Sequence, residues 1–265
     1  MELQIYQVDA FASELFKGNP AGVCITDSAL EESLMLAIAA EMAVSETAFL
    51  SLDTMQLKWF TPKVEVKLCG HGTLAVAHVL KSIGMYQCGD SIAFNTLSGV
   101  LTAELNSDSI DLAFPAAELD FSVDPDEDFI RLLGLSESDI VDYAMFDTKQ
   151  FIVVNDEKKL LELQPDFNAL KARQGRGILV TAKSSDTQDF TSRYFAPWVG
   201  VDEDPVTGSA HCALGVYWAD KLKKSRMQGY QASSRGGYVG VEMLSPSVVK
   251  LSGCAVTALT GTMTV

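Results

Sequence analysis

Apolar and polar residues alternate in several segments of the first half of the chain, and such alternation is typical of half-buried β-strands. The predicted strands cover residues 3–8, 21–25, 48–50, 57–60, 100–105 and 110–114. Apolar residues at helical spacing predict two helices, over residues 28–42 and 73–83. Ser28 is the expected N-cap of the first helix, and Gly84 the expected stop of the second.

The second half repeats this order of elements after an acidic, loop-like stretch at residues 115–128. The predicted strands there cover residues 151–154, 178–181, 195–201, 238–243 and 248–251, and the predicted helices cover residues 166–173 and 209–222. A strand-rich chain with helices in each half indicates the α+β class. We therefore expect two similar domains, residues 1–117 and 118–265, with the last strand able to return to the first domain.

A repeated heptapeptide supports this duplication. The sequence FTPKVEV begins at Phe60 and is answered by FAPWVGV at Phe195, with four of the seven positions identical. Each copy is followed by a polar turn with glycine and then an apolar run, CGHGTLA in the first half and DPVTGSA in the second. Allowing one extra residue in the second copy aligns Gly72 with Gly208 and places Asp204 opposite Cys69.

Composition narrows the function classes. The chain has 265 residues, of which 48% are hydrophobic, and this is enough for two domains with cores of their own. Its net charge of −15 argues against nucleic acid or an anionic membrane surface as a partner. The five cysteines show no CxxC spacing, and no segment resembles a signal peptide or an apolar membrane span. We expect a soluble, cytoplasmic protein in a reducing compartment.

The two repeated turns are candidate anion sites. Backbone N–H groups at a helix start have no partner within the helix, and together with the helix dipole they attract an anion. Gly70, Gly72 and Gly208 would let a ligand approach the backbone, and Thr73 and Ser209 would add hydroxyl groups. The alternative is ordinary helix capping after a strand.

Three side chains are candidates for proton transfer. His71 lies inside the first turn, where it could share a proton or merely cap the helix. Asp204 lies near the second helix start, which favours its charged form, although it also belongs to an acidic run. Glu46 stands between apolar residues, and a lone carboxylate entering a buried strand is costly unless it is paired or used. The alternative for Glu46 is a solvated acid that follows a helix. A weak alignment of the two halves places Arg176 at the position in the second half that corresponds to Glu46.

The remaining histidines and cysteines give weaker signals. His78 lies in an apolar helix and is interpreted as structural, whereas His211 could face either way. Three histidines without ligand spacing make a metal site an unlikely interpretation. Cys69 at a helix start is a candidate nucleophile or base, whereas Cys212 is expected to be a small buried residue.

The combination of these segments resembles the PhzF-like family of phenazine biosynthesis proteins, which has the diaminopimelate epimerase-like fold. The matching stretches are GNPAGV at 18–23, SETAF at 45–49, WFTP at 59–62, CGHGTLA at 69–75, YFAP at 194–197 and GVDEDPVTGSAH at 200–211. The resemblance implies two pseudo-symmetric domains, each an antiparallel β-barrel-like sheet wrapped around a central helix, with the active site between them. It also implies a homodimer and no metal or organic cofactor.

The resemblance further assigns roles to residues. Glu46 would move a proton between carbon atoms of the substrate, assisted by His71 and Asp204. The substrate-binding residues implied are Asn19, Ser45, Gly70, Gly72, Thr73, Gly208 and Ser209. Related racemases use one cysteine on each turn, whereas this chain has a cysteine on the first turn only.

The resulting hypothesis is a cofactor-independent isomerase that acts on a small carboxylated substrate, with Glu46 as general acid and base in the interdomain cleft. One alternative is an amino-acid racemase or epimerase that uses Cys69. Another is a non-catalytic binding protein on the same scaffold. The sequence leaves the substrate and product open, and also whether the proton returns to the same carbon.

Overall fold

The computed structural model describes residues 1–265, which form two compact units. Unit 1 contains Met1–Ala113 and Leu251–Val265, and unit 2 contains Phe114–Lys250. The sequence placed the division after residue 117, whereas the structure places it after residue 113. The C-terminal segment belongs to unit 1, which agrees with the expectation that the last strand can return to the first domain. No helix is both long enough and apolar enough to cross a bilayer.

Unit 1 is strand-rich. Its elements are β1 (Glu2–Ala10), β2 (Asn19–Thr26), α1 (Glu32–Met42), β3 (Glu46–Ser51), β4 (Gln56–Phe60), β5 (Glu65–Val66), α2 (Gly70–Ser82), β6 (Ser91–Thr96), β7 (Gly99–Leu105) and β8 (Ile110–Pro115), which runs across the division between the units.

Unit 2 has a similar succession of elements, with an additional short helix at its start and two short helices at the place of α1. It contains α3 (Glu127–Leu132), β9 (Ile140–Phe146), β10 (Lys149–Val154), α4 (Glu157–Leu161), α5 (Phe167–Lys171), β11 (Ile178–Lys183), β12 (Phe190–Ala196), β13 (Val201–Glu203), α6 (Gly208–Leu222), β14 (Arg226–Gln231) and β15 (Gly237–Ser245). Strand β16 (Val248–Gly253) leads back to unit 1, where β17 (Ala255–Thr264) pairs antiparallel with β1.

The strand pairing differs from the expected antiparallel sheets, because each unit also contains parallel pairs. In unit 1, β2 lies parallel to β3, with Ala21 opposite Glu46. In unit 2, β10 lies parallel to β11, and β12 lies parallel to β14. Parallel neighbours need a crossover connection, and α1, the α4–α5 pair and α6 supply these connections.

Both faces of strand β3 are covered by other elements, and its sequence lacks the alternation of a half-exposed strand. Residues Thr47–Ser51 are all buried, and both α1 and α2 pack against the strand. A strand buried on both faces has a continuous apolar run in place of alternation. Helix α2 is almost entirely buried over its first ten residues and also contacts β1, β2, β7 and β17. Glu46 is therefore the last half-exposed position before the strand enters the core.

The repeated heptapeptide forms a hairpin in each unit. The strand predicted at residues 57–60 agrees with β4, whereas the single strand predicted at residues 195–201 was wrong. In unit 1 the chain turns after β4, and Glu65 of β5 pairs back with Phe60. In unit 2 the residues after β12 form a short 3₁₀ turn at Pro197–Val199, and Val201 pairs back with Ala196. The proline in each copy ends the strand, because it fixes φ and lacks the N–H group that a ladder needs.

Several predicted boundaries were also wrong. Helix α1 begins at Glu32 and not after Ser28, and its N-cap residue Glu31 makes no side-chain capping bond. Helix α2 begins at Gly70, three residues before the predicted start. Strands β6, β9, β14 and β17 and the short helices α3 and α4 were not predicted, because their segments are short or carry mixed patterns.

Candidate active site

Glu46 and His71 lie side by side in unit 1. The Glu46 Oε2 atom is 3.3 Å from His71 Nε2, and the two side chains are 22% and 9% exposed. The hydroxyl of Ser45 lies 3.4 Å from the same imidazole nitrogen. Because Glu46 begins a strand and His71 lies in the first turn of a helix, two rigid elements hold the pair. The carboxylate is accessible enough to meet a ligand and close enough to share a proton with the imidazole.

Cys69 contacts the other nitrogen of this imidazole. Its Sγ atom is 3.5 Å from His71 Nδ1 and accepts a hydrogen bond from the N–H of Gly72 at 3.3 Å. Cys69 is the N-cap residue of α2, and its sulfur accepts the capping hydrogen bond that a side-chain oxygen accepts in most N-caps.

Two of the predicted ligand-binding residues have structural roles in this turn. A Cβ atom at Gly72 would lie 2.8 Å from Trp59 Cδ1 and 3.0 Å from Cys69 Sγ, so packing requires a glycine. The Thr73 hydroxyl donates to the Cys69 carbonyl at 2.7 Å and is fully buried. The N–H of Gly72 and the hydroxyl of Thr73 thus already have partners within the chain. The N–H groups of Gly70 and His71 remain as the orphan donors of the helix start.

Asn19 occupies a related position in the fold. It begins strand β2, and Ala21, two residues further along this strand, pairs with Glu46 of β3. The two predicted site residues therefore begin neighbouring strands. The side chain of Asn19 is fully buried.

In unit 2 the carboxylate of Asp204 is held by its own turn. The Thr207 hydroxyl donates to Asp204 Oδ2, and the Asp204 N–H donates to the Tyr194 carbonyl at 3.0 Å. Burial, and secondly the charge of Asp204, raise the pKa of the Tyr194 phenol, which therefore stays protonated. Asp204 is half-buried, whereas Ser209 is exposed.

Gln231 fixes this turn and was missed by the sequence analysis. Its side-chain oxygen accepts from the Thr207 N–H at 2.9 Å, and its amide nitrogen donates to the Asp204 carbonyl at 2.7 Å. Gln231 is fully buried on strand β14. A single glutamine in an alternating strand carries no sequence signal for this role, because only the fold brings the strand to the turn.

The positions at which α2 and α6 start show that the predicted alignment of the two turns was wrong. The Thr73 N–H donates to the Cys69 carbonyl at 3.1 Å, and the His211 N–H donates to the Thr207 carbonyl at 3.2 Å. The counterpart of Cys69 is thus Thr207 and not Asp204. It follows that Gly70 matches Gly208 and His71 matches Ser209, so the predicted alignment of the glycines was two residues out of register.

The side chains confirm this register. Thr73 Oγ1 and His211 Nδ1 each bond to the carbonyl of the N-cap residue four positions earlier, at 2.7 and 2.8 Å. His211 is thereby a structural residue, because it is fully buried within the helix start. The start of β11 holds Ile178, two residues after the exposed Arg176, so no carboxylate corresponds to Glu46 in unit 2.

The other titratable groups are accounted for by packing. His78 bonds to the Thr257 hydroxyl at 3.0 Å, in agreement with a structural role, and burial lowers its pKa. Burial raises the pKa of the Cys212 thiol to about 12, which makes it a poor nucleophile. All five cysteines are free thiols.

One group of side chains has the composition of a metal site. A carboxylate oxygen of Glu46, the Cys69 sulfur and an imidazole nitrogen of His71 all lie within 4.8 Å of one another. Sequence spacing gave no hint of this group, because Glu46 belongs to a different element from the other two residues.

Comparison with known proteins agrees with the resemblance drawn from the sequence. The family model described as phenazine biosynthesis-like protein (PhzC-PhzF) matches residues 8–261. An uncharacterized isomerase of Halalkalibacterium halodurans is 46% identical over 263 residues, which cover 98% of this chain and 97% of the relative. An uncharacterized isomerase of Pseudomonas aeruginosa is 43% identical over 271 residues, which cover 99% of each chain.

Solved structures agree in fold. A PhzF-family phenazine biosynthesis protein of Enterococcus faecalis superposes with a TM-score of 0.92 at 36% identity, over 100% of both chains. A hydroxyproline epimerase of Agrobacterium vitis superposes with a TM-score of 0.64 at 12% identity, over 99% of this chain and 91% of the epimerase, which shows a shared fold alone. The chain therefore belongs to the PhzC-PhzF family of phenazine biosynthesis-like proteins.

Proposed function

We propose that the protein is a cofactor-independent isomerase that moves a proton between carbon atoms of a small carboxylated substrate, with Glu46 as the proton carrier. The observation that carries this proposal is the 3.3 Å contact between Glu46 Oε2 and His71 Nε2 at the start of a helix. The two bacterial relatives described above are named isomerases, which supports the same reaction class.

Glu46 acts first as a base in this proposal. Its ionised carboxylate removes a proton from a carbon atom next to the substrate carboxylate or conjugated with it. Negative charge then develops on the substrate oxygen atoms, and the N–H groups of Gly70 and His71 at the start of α2 stabilise it. The protonated Glu46 then delivers a proton to a second carbon atom, or back to the first, and its acidic proton can exchange with solvent before delivery. The net change is a proton shift with no change in oxidation state.

His71 positions the carrier. If Nε2 bears a proton, it donates to Glu46, because an ionised carboxylate only accepts. The other nitrogen, Nδ1, then accepts from the Cys69 thiol at 3.5 Å. We also propose that Asp204 takes part in substrate binding, and Thr207 and Gln231 fix the turn that carries it.

Exchange of substrate protons with deuterated water tests the proposal directly. A panel of small unsaturated and α-substituted carboxylic acids is first screened by thermal shift, and compounds that bind are followed by proton NMR. We expect at least one C–H signal to disappear with the wild type. Glu46→Gln should slow this exchange by about 10²–10⁴-fold, the usual contribution of a general base. The control is Glu41→Gln, an exposed carboxylate at the end of α1. Equal exchange in wild type and Glu46→Gln would refute the mechanism.

A second candidate is an epimerase that uses Cys69 as one base. The contact between Cys69 Sγ and His71 Nδ1 favours it, because an imidazole can take up the thiol proton. The register of the helix starts disfavours it, since the N-cap of α6 is Thr207 and the nearest thiol in that helix, Cys212, is buried. Substitution of Cys69 separates the two candidates.

A further inference from the structure

We propose that Glu46, Cys69 and His71 form a binding site for a single zinc-like divalent cation, and that this cation inhibits the enzyme. The three donor atoms are a carboxylate oxygen, a thiol sulfur and an imidazole nitrogen, all within 4.8 Å of one another. Zn²⁺ and Co²⁺ accept this mixture of donors, whereas Mg²⁺ and Ca²⁺ prefer oxygen alone.

Two of the three donor distances are close to the edges of a zinc tetrahedron. Bonds of about 2.3 Å to sulfur and about 2.0–2.1 Å to nitrogen and oxygen give an N···O edge of about 3.3 Å and an N···S edge of about 3.6 Å. His71 Nε2 lies 3.3 Å from Glu46 Oε2 and 3.8 Å from Cys69 Sγ. A cation bound through Nε2 would also draw the Glu46 carboxylate and the Cys69 sulfur, which lie within 4.8 Å of each other, toward the O···S edge of about 3.6 Å.

The charges at the site also balance. The Glu46 carboxylate and the Cys69 thiolate together carry two negative charges, which offset a divalent cation. The helix start opposes a cation weakly, but it also stabilises the thiolate that the cation needs. With three protein ligands, the fourth position stays open for water or for a substrate carboxylate.

Inhibition follows because the cation binds the carboxylate of Glu46, which is the proposed proton carrier. A carboxylate oxygen bound to a metal is a weaker base, and the imidazole nitrogen bound to the metal no longer contacts Glu46 through a proton. This part of the inference rests on the proposed function, whereas cation binding itself does not.

Cobalt and zinc titrations of the substrate-free protein test the binding. We expect one equivalent of Co²⁺ to give a thiolate-to-cobalt charge-transfer absorption, and Zn²⁺ to displace it. Cys69→Ser should abolish the absorption and weaken Zn²⁺ binding more than 100-fold, more than the loss of an indirect partner of a metal site costs. Serine keeps a good N-cap, and the helical circular dichroism of the variant verifies its fold. Cys88→Ser, which removes an exposed thiol, should leave both signals unchanged.

Two results would overturn the proposal. One is the absence of a charge-transfer absorption in the wild type at equimolar Co²⁺. The other is an absorption that persists in Cys69→Ser and disappears in Cys88→Ser. Proton exchange with and without Zn²⁺ tests inhibition separately. Exchange that depends on Glu46 and that Zn²⁺ does not affect would refute inhibition and leave the proposed function standing.

Discussion

The carboxylate of Glu46 lies 3.3 Å from the imidazole of His71, although one residue starts a strand and the other lies in the first turn of a helix. Neither element could make this contact alone. The contact gives the carboxylate a proton partner at a place where it is only partly solvated.

His71 and Glu46 should act as one unit. We expect His71→Asn to slow proton exchange by about 10–100-fold, and the double variant with Glu46→Gln to be little slower than Glu46→Gln alone, because residues that share a function show non-additive losses. His78→Asn is the matched control, since His78 lies about two turns further along α2 and bonds to Thr257. Losses that simply multiply in the double variant would argue against a shared proton.

Cys69 should be a cap and not the proton carrier. We expect Cys69→Ala to reduce proton exchange by less than tenfold, since the carrier stays in place. The same change should cost about 1 kcal/mol of unfolding free energy, because it removes the acceptor of the Gly72 N–H. Cys69→Ser should recover this stability. Denaturant titrations and exchange rates of both variants check the prediction, and loss of nearly all exchange in both would favour the epimerase.

Gly72 should tolerate no side chain. Alanine at this position would place Cβ 2.8 Å from the buried ring of Trp59, so we expect a destabilisation of about 1–3 kcal/mol, typical of overpacking. The gain in helix propensity from glycine to alanine, about 1 kcal/mol, offsets part of this cost. Gly261→Ala is the control, because its Cβ would meet only Leu259 Cδ2 at 3.8 Å. Equal stability of the two variants in urea would show that Trp59 yields easily.

Gln231 should position the acidic turn of unit 2. Gln231→Leu removes the partners of the Thr207 N–H and the Asp204 carbonyl, and we expect a loss of about 2 kcal/mol of stability together with slower proton exchange. Gln228→Leu, on the exposed face of the same strand, should change neither quantity appreciably. Unimpaired exchange in a folded Gln231→Leu protein would remove Asp204 and its turn from the mechanism.

His211 should make stability depend on pH. Its Nδ1 donates to the Thr207 carbonyl, its Nε2 is buried without a partner, and burial lowers its pKa from 6.5 to about 4. Between these values the unfolded chain binds more protons than the folded one, so stability falls as the pH drops from about 6.5 to about 4. The full difference is about 3 kcal/mol, from about 1.4 kcal/mol for each pH unit.

The comparison of wild type with His211→Leu isolates this contribution, because the acidic groups of the chain titrate in both proteins. We expect the difference in unfolding free energy between the two to shrink by about 3 kcal/mol on acidification from pH 7 to pH 4. Guanidinium titrations at several pH values measure it. A difference that stays constant with pH would mean that His211 protonates freely in the folded protein.

Residue patterns alone predicted the family, the strand-rich composition of both halves and two helices that begin near a glycine-bearing turn. These features are local or repeated, so periodicity and turn residues reveal them. It also singled out Glu46, His71 and Cys69 one by one, from residue type and immediate neighbours.

Only the packing of the elements shows which of these residues are in contact and how the two turns align. The heptapeptide is a hairpin in both units, the partner of Cys69 is Thr207, and Gly72 is fixed by Trp59. Gln231 and the cluster of Glu46, Cys69 and His71 emerge only where separate elements pack together. Hydrogen-bond partners and close packing depend on distances between segments far apart in sequence, and such distances leave no trace in a local pattern of residues.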